Sequence, residues 1–259
     1  MGVVNVTPDS FSDGGKFLEP SAAIARARQL IEEGADLLDL GAESSRPGAA
    51  AVVSAEEELR RLLPVLRGLR DAPVPLSVDT IKPEVMRVAL AEGASMINDI
   101  NALRAPGALA FVAAADAAVC LMHMQGTPGT MQQQPHYGDV VAEVKAFLLA
   151  RVEAVRAAGI PLQRICIDPG FGFGKTLEHN LDLLRRLREF GAFGVPVLAG
   201  WSRKSSLGTI TGKPAGDRLA ASIAAALIAV QNGAAILRVH DVAATRDALL
   251  VLAAVERTQ

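Results

Sequence analysis

Residues 165 to 176 read Ile-Cys-Ile-Asp-Pro-Gly-Phe-Gly-Phe-Gly-Lys-Thr, an apolar run that ends in a carboxylate and passes into a glycine-rich loop. The β-branched residues favour extended chain, and Pro169 ends the ladder because it has no N–H to give. A carboxylate at a strand end, beside a loop carrying Gly170, Gly172 and Gly174, is placed to hold a ligand. A phosphate-binding P-loop would need glycine five residues before Gly174, where Pro169 stands, so that motif fails. A plain glycine-rich connection with a solvated Asp168 is the competing reading, and the rest of the chain decides between them. Asn5, Asp39, Asp79, Asn98, His123, Asp168, Ser202 with Lys204, and Arg238 with His240 each follow an apolar run. A helix cap or a turn explains any one of these. Their recurrence at eight strand ends argues for one shared face.

The elements that must position these residues alternate. Short β-branched runs centre on Val3 to Val6, Ala35 to Leu40, Val74 to Val78, Ser95 to Asn98, Ala118 to Met122, Ile165 to Asp168, Val195 to Ala199 and Ala235 to Val239. Between them lie segments of helical periodicity. Eight such pairs predict parallel strands joined by crossover helices and an α/β fold of the (β/α)8 TIM barrel type, one domain over residues 1–259. A doubly wound sheet is the alternative, but it gathers its ligand groups at one switch point. In a barrel all eight strand ends open onto the C-terminal mouth.

Composition narrows the partner. Of 259 residues half are hydrophobic and the formal charge is −2, which supports a sizeable core and offers no broad basic field for nucleic acid or an anionic membrane. A small-molecule partner is expected. No basic segment precedes an apolar one at the start, and the most apolar run, Leu219 to Val230, is too short to cross a bilayer. Cys120 and Cys166 sit in apolar runs and read as buried filler in a reducing, cytoplasmic compartment. The Leu219 to Val230 segment is apolar nearly all round, so its outer side predicts a partner surface, most simply that of a homodimer.

Two loops look like lids. The first, Asn5 to Gly15, is long and polar with Phe11 in its midst; the second, Gly41 to Gly48, carries Arg46 beside Pro47 and closes on a helix beginning near Ser54, where Ser54 and Glu57 fit a capping box. Both are expected to be mobile without ligand and to close in order. A third loop, Gln125 to Gly138, reads as a connection with His136 and Tyr137 packing locally. His123 reads either as a structural hydrogen-bonding residue or as a ligand contact, and Asp99 and Asp241 as loop or cap residues.

Seven motifs in order, Asn5 to Gly15, Glu43-Ser-Ser-Arg-Pro-Gly48, Ser77-Val-Asp-Thr80, Asn98-Asp-Ile100, Asp168 to Lys175, Ser202-Arg-Lys-Ser205 and Arg238-Val-His-Asp241, make the chain resemble the dihydropteroate synthases over essentially its whole length. The resemblance implies a TIM barrel and a transferase that condenses 6-hydroxymethyl-7,8-dihydropterin pyrophosphate with 4-aminobenzoate, releasing pyrophosphate, with Mg²⁺ assisting. The family usually has a segment before its first strand, whereas Met1 already lies within that strand, so either the barrel floor lacks its usual cover or the start is trimmed. Ser45 replaces the more usual Thr and keeps the hydroxyl; Trp201 occupies a variable position.

The resemblance also assigns roles. Asp168, Asp79 and Asn98 would satisfy the donor-rich edge of a pterin, with Lys204 donating to its carbonyl and Ile100, Met122 and Phe173 lining its flat faces. Phe11, Ser45, Arg46, Pro47, Phe173 and Ser205 would hold 4-aminobenzoate, whose carboxylate suits the helix start at Ser205. Asn5, Ser45, Arg238 and His240 would bind pyrophosphate, and Asn5 the metal. The catalytic set is then Asn5, Arg46, Asp168, Lys204, Arg238 and His240. Dihydropterin nitrogens can delocalise charge on the methylene carbon, which favours an SN1-like path without a protein nucleophile and leaves both cysteines away from the site. Arg238→Ala is expected to spare binding of a pterin that lacks pyrophosphate. Competing readings are a corrinoid-linked methyltransferase that binds methyltetrahydrofolate on a related barrel, and a pterin-binding paralogue without catalysis.

Overall fold

The structure, a computed structural model, describes residues 1–6, 20–43 and 53–256. Its parallel strands are β1 (Gly2–Asn5), β2 (Leu38–Gly41), β3 (Leu76–Asp79), β4 (Met96–Asp99), β5 (Ala118–Met122), β6 (Ile165–Asp168), β7 (Leu198–Ala199) and β8 (Ile236–Leu237). Between and after them lie helices α1 (Pro20–Glu32), α2 (Ala55–Gly68), α3 (Pro83–Ala91), α4 (Ala108–Ala113), α5 (Val140–Ala157), α6 (Leu177–Arg185), α7 (Ser205–Thr211), α8 (Leu219–Gln231) and α9 (Val242–Glu256).

β1 to β6 pair in chain order, and β7 pairs with β8. Single bridges close the circle, Ile167 to Val197 between β6 and β7 and Gly2 to Val239 between β8 and β1. The eight predicted strands therefore form a (β/α)8 barrel. Their extents differ from the sequence reading chiefly at Val195 to Ala199 and Ala235 to Val239, where regular pairing shrinks to two residues on each strand.

Alternation along each strand stacks the interior. Met96, Cys120, Cys166 and Leu198 form a buried layer against Met1, Leu37, Ala118 and Ile236. Two residues further on, the same inward faces present Asp39, Asn98, Met122, Asp168 and Arg238. The cysteines thus lie one pleat beneath the candidate site, closer than the sequence reading placed them. A hydrogen bond with Cys166, together with burial, pushes the Cys120 thiol well above its usual range, which suits an inert packing role.

Outside the barrel the helices bury one face. α2 turns Glu58, Leu62, Val65 and Leu66 inward at helical spacing. Its N-cap is Ser54, whose side chain accepts from the Glu57 N–H at 3.1 Å. The reciprocal half of the expected capping box does not form, because the Glu57 carboxylate is held by Arg60 and Arg61 instead. A complete box occurs at Thr176 and His179, at the start of α6.

Candidate active site

On one side of the mouth the groups are tied to each other. Asp39, fully buried on β2, accepts from the Ser77 hydroxyl at 2.6 Å, from Asn98 Nδ2 at 3.1 Å and from Arg238 Nε at 2.6 Å. Arg238 Nη2 reaches Asp79 at 3.0 Å. A carboxylate has no hydrogen to give, so Asn98 must turn its NH₂ toward Asp39 and leave its carbonyl oxygen as the group available to a ligand. Burial lifts the Asp79 pKa to about 7, with Arg238 opposing the shift and Asp39 adding to it. For Arg238, burial acts to lower the pKa, but Asp39 and Asp79 outweigh it and the net shift is upward.

This arrangement alters one expectation. Arg238 is the cation of the Asp39 and Asp79 cluster as well as a candidate pyrophosphate ligand. Its removal would strip two pterin-side carboxylates of their partner rather than spare them.

On the other side, β6 ends in Asp168, only 6% exposed, whose Oδ1 accepts from the Gly170 N–H at 2.7 Å. Burial raises its pKa, and Lys204 pulls it back. Met122 stands in register with Asp168 on the neighbouring strand. The glycine loop lies flat on the exit of β5: Gly170, at φ +73°, faces the His123 carbonyl with no room for a β-carbon, and one on Gly174, at φ +61°, would come within 2.6 Å of the Gln125 carbonyl oxygen. Lys204, just before α7, donates to the Phe171 carbonyl and sits 4.7 Å from the centre of the Phe173 ring. Burial lowers its pKa to about 8 despite Asp168. Ile100, Met122 and Phe173 do gather into one apolar cluster, which Met124, Met131 and Ile81 extend.

The remaining predicted residues fall into three groups. Asn5 ends β1 and is part-buried; Ser205 opens α7 on the surface; His240 Nδ1 lies 3.0 Å from the Ser202 hydroxyl, which also accepts the His240 N–H at 3.1 Å. Phe11, Ser45, Arg46 and Pro47 lie outside the described residues, as do most of the two expected lids. His123 is structural: it is buried, its Nδ1 is 3.0 Å from Lys175 Nζ, and its ring meets Phe147 edge-on with centroids 4.9 Å apart. Asp99 caps the turn after β4 through the Asn101 and Leu103 N–H groups, and Asp241 pairs with Arg203.

Three features escaped the sequence reading. The third loop is more than a connection, because Tyr137 donates to the Gly174 carbonyl at 2.8 Å and Gln132 to the Gly172 carbonyl at 2.6 Å. Lys175 is buried in the glycine-rich loop after β6. Lys82 joins Glu43 to the wholly buried Glu58, while Glu43 also accepts from the Val53 N–H at 3.0 Å. A buried charged position at helical core spacing, as at Glu58, was the one available signal for that cluster.

Among the described residues no group of three or more His, Cys, Asp or Glu side chains is arranged to hold a metal. An all-protein cage is not what Mg²⁺ requires, since it keeps several waters and takes one or two protein oxygens alongside phosphate. The Asn5 carboxamide oxygen at the mouth fits that role.

The pterin binding enzyme family profile matches residues 1–240. The chain is 49% identical over 255 residues to the dihydropteroate synthase of Escherichia coli K12, covering 98% of this chain and 90% of that protein. It is 53% identical over 258 residues to that of Neisseria meningitidis serogroup B, covering 97% and 90%. Among solved structures it is similar to the Xanthomonas albilineans dihydropteroate synthase with 4-aminobenzoic acid, at TM-score 0.93 and 57% identity over 98% of this chain and 92% of that one. The same enzyme in complex with 7,8-dihydropteroate matches at TM-score 0.90 and 54% identity, covering 98% and 92%. Sequence motifs and barrel agree with these likenesses, and the chain belongs to the pterin binding enzyme family as one of its dihydropteroate synthases.

Proposed function

We infer that this chain joins 6-hydroxymethyl-7,8-dihydropterin pyrophosphate to 4-aminobenzoate, forming 7,8-dihydropteroate and pyrophosphate in folate biosynthesis, within one catalytic domain spanning residues 1–259. The observation that carries this reading is the acceptor set at the barrel mouth. Asp168, Asp79 and the Asn98 carbonyl oxygen open beside an apolar wall of Ile100, Met122 and Phe173, with the Lys204 ammonium as the opposing donor. A planar ring with several N–H groups and one carbonyl has the complementary pattern.

In the SN1-like course proposed here, the methylene carbon–oxygen bond breaks and pyrophosphate leaves with the electron pair. Ring nitrogens share the positive charge, the aniline nitrogen then bonds to the methylene carbon, and its proton passes to water or to pyrophosphate. Arg238 and His240 stabilise the departing anion with Ser45 as a further pyrophosphate ligand, and Ser45 and Arg46 are assigned to 4-aminobenzoate. Asn5 would hold Mg²⁺, which when bound would supply further neutralisation of the leaving group's charge. Ser205 and the start of α7 face the aminobenzoate carboxylate, with Phe11, Pro47 and Phe173 around its ring. We place the protein in the cytoplasm as a homodimer. Support for the dimer comes from Ile210, Leu219, Ile228, Leu250, Val251 and Val255, exposed on α7, α8 and α9.

The decisive experiment incubates the pure protein with both substrates and Mg²⁺ and follows dihydropteroate by chromatography. Product is expected. Tight pterin binding with no product at saturation would leave a binding protein in place of an enzyme, and sedimentation as a monomer at micromolar concentration would remove the dimer.

A further inference from the structure

The carbonyls of residues 170 to 174 share an unusual property: every one accepts a hydrogen bond from a side chain. Lys175 Nζ serves Gly170 and Phe173, each at 3.0 Å, Lys204 serves Phe171, Gln132 serves Gly172 at 2.6 Å, and Tyr137 serves Gly174 at 2.8 Å. Lys175 alone holds two of the five. It also lies 3.0 Å from His123 Nδ1 and 3.3 Å from the His123 carbonyl, so its three N–H groups are surrounded by four acceptors. The side chain folds back beneath its own loop and is 3% exposed. We propose that Lys175 is a positioning residue for pterin recognition, its ammonium drawing the glycine loop onto the exit of β5 and thereby fixing the Asp168 carboxylate.

The chain of contacts is short. Lys175 grips the carbonyl of Gly170; the N–H of the same residue holds Asp168 Oδ1 at 2.7 Å. Gly170 can take this position only because it lacks a β-carbon, which would strike the His123 carbonyl and lie 3.3 Å from Lys175 Nζ. An ammonium donates only, so His123 must present Nδ1 unprotonated and carry any ring proton on Nε2. Burial, with Lys175 adding to it, draws the His123 pKa down to about 3, consistent with a permanently neutral acceptor. The titratable groups facing Lys175 are Asp168 from β6, Lys204 from before α7, His123 from the exit of β5 and His179 from α6. Burial lowers the Lys175 pKa to about 7, Asp168 opposing and Lys204 assisting, and Lys175 in turn favours the ionised form of Asp168. Positional and electrostatic effects therefore act on one carboxylate.

This inference rests on the synthase reading, and the experiment separates the two. Wild-type enzyme, Lys175→Met and Lys175→Gln are compared for kcat, for KM of each substrate, for thermal midpoint and for calorimetric affinity toward 6-hydroxymethyl-7,8-dihydropterin. Met removes charge and donors; Gln keeps two donors in a neutral group and is the arm that remains if the Met variant does not fold. The expected result is a loss of pterin affinity of roughly ten- to a hundredfold in Lys175→Met and a smaller loss in Lys175→Gln. The KM for 4-aminobenzoate, measured at saturating pterin substrate, should change less than about twofold. A lower thermal midpoint with pterin affinity unchanged in the folded variants would overturn the proposal, as would failure of both variants to fold, which would assign Lys175 to stability alone. Inactive wild-type enzyme would instead remove the synthase reading.

Discussion

Asp39 and Asp168 are both inward-facing strand acids, yet their surroundings differ. Asp39 takes three hydrogen bonds from Ser77, Asn98 and Arg238, and its charge is answered inside the protein. The Asp168 carboxylate takes one among the described residues, from the Gly170 N–H to Oδ1, which leaves Oδ2 open. The cations nearest Asp168, Lys204 and Lys175, bond to loop carbonyls rather than to the carboxylate. A satisfied acid makes a frame, while an acid with an open oxygen makes a binding end. The difference comes from which neighbours the strands bring alongside, since Asp39 meets Ser77 in register and Asp168 meets Met122.

Breaking the frame should cost most. Arg238→Ala leaves Asp39 buried without a cation, and a loss of about 3–5 kcal/mol of stability is expected from urea unfolding, with pterin affinity falling as well. A loss under about 1 kcal/mol would mean the cluster does not support the mouth. Breaking the binding end should show in affinity instead. Asp168→Asn keeps an acceptor for the Gly170 N–H but offers a misplaced donor to a donor-rich ring, so pterin binding should weaken by about 2–4 kcal/mol with the thermal midpoint nearly unchanged. Calorimetry showing full affinity would refute the role of Asp168.

Tyr137→Phe sharpens the comparison at lower cost. It removes one of the five loop braces without altering charge and should destabilise by about 1 kcal/mol, with only a modest rise in pterin KM; no change in either would demote the third loop to a connection. The last effect is that of pH on the unliganded protein. Asp79, raised by burial from 3.8 to about 7, retains a proton in the fold that the unfolded chain gives up, so its contribution is complete below about pH 4 and is lost as pH rises through 7. Asp79→Asn should remove that decline, a difference of about a few degrees in thermal midpoint between pH 5 and 8. Parallel midpoint curves for the two proteins would contradict the shift.

How far the sequence could be read depended on distance along the chain. Strand ends were legible because the polar residue follows its own apolar run, so Asn98 or Asp168 announces itself within five residues. The grouping of Ile100, Met122 and Phe173 into one apolar cluster was legible through the family resemblance. Lys175 was not, since its role depends on His123, 52 residues away, and on a side chain that doubles back. Nor was the pairing of Lys82 with Glu43, 39 residues away, or that of Arg238 with Asp39, which spans 199. The shrinkage of β7 and β8 has a similar origin: apolar composition marks a buried segment, but the register of its partner decides how much of it ladders.

The seam of the barrel carries a consequence for synthesis. The Met1 nitrogen donates to the Leu237 carbonyl at 3.0 Å, and Gly2 bridges to Val239, so β1 completes its pairing only with chain that is made 236 residues later. Until then β1 has one unpaired edge, and the six-strand sheet it heads can form with both flanks open. Such an intermediate is prone to edge-to-edge association. Closure is also a long-range event of the kind that slows folding. A chain halted shortly before residue 236 should therefore be far more prone to aggregate than one only a few residues longer.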